Sequence, residues 1–112
     1  MATDASFVEF VCEQAAFGPR LATRRMFGEY ALYLDGKVVA FACGNQLYVK
    51  PTDAGRALAP QAQLAAFYPR GKPHLRLGEE LDDRDLLRRL LLATHDALPA
   101  AKAKPERRPK AR

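Results

Sequence analysis

Between residues 24 and 50 the chain reads RRMFGEYALYLDGKVVAFACGNQLYVK, three apolar runs separated by two short turns. Asp35-Gly36 and Gly44-Asn45 are two-residue turn signals, because a tight hairpin needs positive φ at both central positions and Gly, Asp and Asn tolerate it. The runs at residues 30–34, 37–43 and 46–50 are rich in β-branched and aromatic residues, so they predict a β-meander. Residues 21–27 predict a strand before it, interrupted at Gly28.

The flanking segments carry helical spacing. Phe7, Val8, Val11, Cys12 and Ala15 fall on one face, with Glu9 and Glu13 elsewhere. Ser6 with Glu9 fits a capping box, and Thr3 or Asp4 offers a start one turn earlier; Gly18-Pro19 ends the helix. Pro51-Thr52-Asp53 opens a short helix over residues 54–58, Pro60 breaks it, and residues 61–66 are left open. Phe67-Tyr68 and residues 74–77 predict a last pair of short strands around a Pro69–Pro73 turn. Residues 81–98 are the clearest helix, with Asp82 as N-cap, a stripe of Leu87, Leu90, Leu91, Thr94 and Leu98, and Pro99 as its stop. The order is α-β(3-4)-α-β(2)-α. It predicts a two-layer α+β fold with an antiparallel sheet of five to six strands and helices mainly on one side.

Two-residue turns fix a register. Leu34 then faces Lys37, Leu32 faces Val39, Tyr30 faces Phe41, and Phe41 faces Tyr48. One face would hold Tyr30, Leu32, Leu34, Val39, Phe41, Cys43 and Tyr48; the other would hold Ala31, Tyr33, Val38, Ala40, Ala42, Leu47 and Val49. Both faces are apolar, where a sheet solvated on one side should alternate with polar residues. Either the helices and loops bury both, or one face meets another protein surface. The alanines of the second face admit a close helix, which points to Tyr30, Phe41 and Tyr48 as a partner-binding patch for a protein partner or a second copy.

Composition adds one decisive point. The 112 residues suit one domain, and the net charge of +5 resembles a nucleic-acid signature. Residues 1–98 nevertheless hold twelve Lys/Arg against twelve Asp/Glu. All of the excess lies in residues 99–112, in Lys102, Lys104, Arg107, Arg108, Lys110 and Arg112 against Glu106. The expected organisation is a neutral folded domain over 1–98 and a basic, disordered tail over 99–112. No apolar run approaches a membrane span and no signal-peptide pattern is present, so a cytoplasmic location without membrane contact is expected.

Candidate chemistry is sparse. Cys12, Cys43, His74 and His95 share no metal-ligand spacing, and buried inert thiols are the plain reading of the cysteines. Gly36-Lys37 and Gly71-Lys72 lack the context of a phosphate loop. Glu79, Glu80, Asp82, Asp83 and Asp85 read as a helix start. No enzyme activity, cofactor or metal is expected. For nucleic acid, Lys50, Arg56, Arg70, Lys72 and Arg76 outnumber Asp53 between residues 50 and 77, with Tyr48 and Tyr68 nearby.

Arg25-Met26-Phe27-Gly28 followed by Tyr30, Leu32-Tyr33 and Asp35-Gly36, then Leu47-Tyr48-Val49-Lys50, Tyr68 with Gly71-Lys72, and Ala97-Leu98-Pro99, resembles the N-terminal domain of the TfoX/Sxy family of bacterial competence regulators. Glu29 and Leu77 depart from the family pattern, which tends to glycine at the first position and an aromatic at the second. The resemblance implies a fold similar to that of secretion chaperones. It also implies a non-enzymatic regulatory or adaptor role in transcription of competence genes, exerted through protein–protein contacts. The alternative is direct nucleic-acid binding through the tail and the surface carrying Lys50, Arg70 and Lys72.

Overall fold

A computed structural model describes residues 3–26, 28–67 and 71–99. Helix α1 spans Ala5–Ala15, and strands β1 (Leu21–Met26), β2 (Glu29–Leu34), β3 (Lys37–Cys43) and β4 (Gln46–Val49) follow. Helix α2 (Asp53–Leu58), strands β5 (Gln63–Ala65) and β6 (His74–Leu77) and helix α3 (Arg84–Ala97) complete the order. The six strands form one antiparallel sheet in the order β1-β2-β3-β4-β6-β5. The expected α+β class and helix–strand order hold.

Local chemistry sets the element ends. Asp35-Gly36 and Gly44-Asn45 both have positive φ at their two central positions, as the hairpin signals require. Helix α1 starts at the earlier of the expected positions, with Asp4 at the N-cap making no side-chain hydrogen bond to the helix but accepting from Asn45 Nδ2 at 3.1 Å, and Ala16 ends it in a left-handed conformation at φ 55°. Thr52 Oγ1 accepts from the Gly55 N–H at 2.9 Å to start α2. Before α3, residues Glu79–Asp82 form a 3-10 turn, so the cap is Asp83 and not Asp82; its carboxylate accepts from the Leu86 N–H at 3.0 Å. The last strand pair also differs from expectation. The partner of β6 is β5 at Gln63–Ala65, while Phe67 lies beyond β5 and packs over the sheet.

One irregularity reorganises the faces. Tyr33 faces Val38 but Leu32 faces Ala40, so Val39 is an extra residue, a β-bulge in β3. From there the register moves by one: Ala31 faces Phe41, and Tyr30 faces Ala42. Leu32 and Leu34 therefore share a side with Ala40, Ala42, Leu47 and Val49, and Val39 joins them in the core. Leu75 and Leu77 of β6 extend that side. Val8, Val11 and Ala15 of α1 and Leu87, Leu90 and Leu91 of α3 cover it. Each fully buried Leu or Val contributes about 1.5–3 kcal/mol of transfer free energy. Helix α3 lies on β2 and β3, and α2 packs on α3 through Gly55.

Candidate interaction surface on the sheet

The helix-free side of the sheet carries a row that crosses all six strands: Arg24, Ala31, Phe41, Tyr48, Arg76 and Gln63 are successive register partners. A parallel row holds Ala22, Tyr33 and Val38. The bulge thus separates the three aromatic candidates. Phe41 and Tyr48 lie together on this outer side, but Tyr30 turns to the helix side, where it packs partly buried against the core. The expected patch of Tyr30, Phe41 and Tyr48 is not formed, because every residue of β3 after Val39 has exchanged sides relative to β2.

Phe41 and Tyr48 have partners that the sequence did not suggest. The Phe67 ring stacks on Phe41 at 4.9 Å between centroids and lies 5.2 Å from Tyr48. His74 sets its ring edge-on to both Phe41 and Phe67, at 5.8 and 5.2 Å. Its Nδ1–H donates to the Lys72 carbonyl at 2.8 Å, and the Tyr48 hydroxyl donates to Gln46 Oε1 at 3.0 Å. Four rings thus form a small second core over β3, β4 and β6. Tyr48 and His74 are buried, whereas Phe41 and Phe67 are half-buried. Towards β1 no such cover is present among the described residues: Tyr33 and Val38 are half-buried and Ala22 and Arg24 exposed.

The charges around this side are mostly positive. Arg24 and Arg76 stand in the long row, and Arg76 donates to Gln63 Oε1. Lys50 follows β4 with the strand parity of Tyr48, and Lys72 is exposed beside His74. Glu29, at the far end of β2, is the acidic counterpart. Partial burial pushes its carboxyl above the ordinary range, and its charge in turn adds to the burial that raises the Cys43 thiol. Burial, followed by the charge of Glu9, raises the Cys12 thiol as well. Both cysteines are free thiols. Arg56 lies on α2 in the helix layer, away from this side.

The remaining candidates are placed as follows. Arg25 is exposed on β1, Met26 ends that strand, and Gly28 takes φ 83° in the turn to β2. Phe27, Tyr68, Arg70, Lys102, Lys104, Arg107, Arg108, Lys110 and Arg112 lie outside the described residues. The described residues hold no group of three or more His, Cys, Asp or Glu side chains placed to bind a metal ion. No helix among them is long and apolar enough to cross a membrane.

A helix-backed antiparallel sheet whose other face the described residues cover only in part defines an α+β module. The chain matches the TfoX N-terminal domain over residues 13–98, and it belongs to that family. It is also 47% identical, over 91% of its own length and 89% of the relative's, to a Spirochaeta aurantia protein described as an uncharacterized 12.7 kDa protein in the trpE 5′ region.

Proposed function

We propose that this protein is a non-enzymatic regulatory adaptor that acts through protein–protein contact at the outer side of its sheet. Membership of the TfoX N-terminal domain family supports a competence-related regulatory role; action in the cytoplasm on a transcription complex is the finer part of the proposal. The observation that carries the reading is the uneven cover of the outer face. Phe67 closes the half over β3, β4 and β6, while Tyr33 and Val38 remain half-buried beside exposed Ala22 and Arg24. An apolar strip of this kind is what a partner surface removes from water, at roughly 25 cal/mol per Å².

Nucleic acid is less well served by this face. Phe41, Tyr48 and His74 are engaged with Phe67, which among the described residues leaves Tyr33 as the ring available for stacking on that side. The test is affinity capture from the native cytoplasm with the full chain and with Val38→Glu. A partner retained by the first and lost by the second, with an unchanged circular dichroism spectrum, supports the reading. A partner retained equally by both overturns the assignment of this face.

A further inference from the structure

A different part of the sheet is built for an extended ligand. Strand β1 is an end strand, paired only with β2 in the sheet order. The Asp35 N–H donates to the Arg20 carbonyl at 2.9 Å, within the same pairing that sets Leu21 opposite Leu34. In an antiparallel ladder the hydrogen-bonded pairs alternate, so Ala22, Arg24 and Met26 direct their backbone groups to β2. Thr23 and Arg25 direct theirs outward. Neither residue's outward N–H or C=O bonds to a described residue, whereas the Leu21 N–H is taken up by the Gly18 carbonyl. Residues 22–25 are exposed.

Open edges are commonly blunted by brevity, by proline, by a bulge or by charge. Strand β1 has six residues, pairs with β2 without a bulge and contains no proline. Among the described residues its only protection is Arg24 and Arg25, one on each side of the sheet, with no acidic residue in the strand. Such an edge repels a second copy, which would bring its own two arginines to the same line, and attracts a strand of opposite charge.

We propose that β1 accepts an extended acidic segment of a partner protein by strand addition. The segment bonds to the outward backbone groups of Thr23 and Arg25, and its carboxylates meet Arg24 and Arg25. This surface borders the Val38 face and shares Arg24 with it, but it is made by the outward backbone groups of Thr23 and Arg25, so Val38→Glu and Thr23→Pro test the two independently.

The test titrates the full chain with the blocked peptide Thr-Glu-Val-Glu-Val-Glu-Thr and its lysine counterpart, followed by amide NMR. The expected result is binding at least tenfold tighter for the acidic peptide, with the amides of Thr23 and Arg25 shifting and gaining exchange protection. The double change Arg24→Glu, Arg25→Glu should weaken it at least tenfold. Thr23→Pro removes an N–H that the free fold leaves unused, so it should abolish binding and leave the fold intact. Should that variant unfold, peptides N-methylated on alternate residues decide, and one of the two methylation phases must lose binding. The proposal is overturned if both phases bind, if both peptides bind equally, or if the shifts centre on Tyr33 and Val38. It is overturned equally if an oligo(dT) strand takes the same amides more tightly, or if sedimentation shows two copies joined there.

Discussion

Gly55 shows how much a single missing side chain decides. A Cβ at this position would come within 3.0 Å of Thr52 Oγ1, 3.2 Å of Leu90 Cδ1 and 3.4 Å of Thr94 Oγ1. Those three atoms belong to the cap of α2 and the buried stripe of α3, so the glycine is what lets the two helices touch. Gly55→Val should destabilise the protein by about 1–3 kcal/mol through overpacking, checked by urea unfolding. An unchanged midpoint would mean that α2 is free to lift off α3. At the same scale, the residues that sequence pattern placed well are those with one available role: Asp35 and Asn45 at positive φ, Thr52 as a cap, Leu87, Leu90 and Leu91 as core. Asp82 and Asp83 were not separable, because both are good caps and only the intervening 3-10 turn selects the second.

Between elements, the β2–β3 hairpin is fastened at both ends of its turn. Lys37 reaches across to α3, where its Nζ donates to the His95 and Leu98 carbonyls at 2.9 and 3.1 Å. These are orphan acceptors at a helix C-terminus, where a cation is favoured. Lys37→Met should therefore cost about 1 kcal/mol and speed amide exchange in the last turn of α3. On the other side Arg20 holds the Asp35 carboxylate by three contacts, at 2.7, 3.1 and 3.3 Å. The hydrogen bond from Arg20 keeps the Asp35 carboxyl below its ordinary value of 3.8. A depressed carboxyl stabilises the fold above the unfolded value, and that contribution is lost as pH falls through the lower folded one. The melting-temperature difference between the protein and Asp35→Asn should thus be small at neutral pH, because the pair is exposed, should begin to shrink as pH falls past the ordinary 3.8, and should vanish only below the lower folded value. A difference that persists in acid would assign it to turn geometry instead. The bulge at Val39 escaped sequence reading for a physical reason: residues 38–42 are apolar on both parities, so either register buries plausible side chains. Strand β5 escaped because Gln63, Leu64 and Ala65 carry no alternation strong enough to separate three strand residues from a helix remnant.

For the whole molecule the consequence lies in how charge is divided. Leu98 packs against the core and its carbonyl is held by Lys37, so the body closes by that residue. A chain ending at Pro99 should keep its melting temperature within a few degrees, since residues 100–112 contain no aliphatic or aromatic side chain larger than Ala to bury apart from Pro105 and Pro109. The same cut removes Lys102, Lys104, Arg107, Arg108, Lys110 and Arg112 with Glu106, leaving twelve basic and twelve acidic residues. Non-specific association with duplex DNA releases roughly one counterion per neutralised phosphate. Six cations therefore allow a log–log salt slope of at most about −5, and the truncated chain should show a slope near zero. Fluorescence anisotropy of a labelled duplex between low and physiological salt measures both. If the truncated chain keeps a steep slope, Lys50, Lys72 and Arg76 act as a cationic surface despite the balanced total, and nucleic acid displaces the protein partner as the ligand of the outer face.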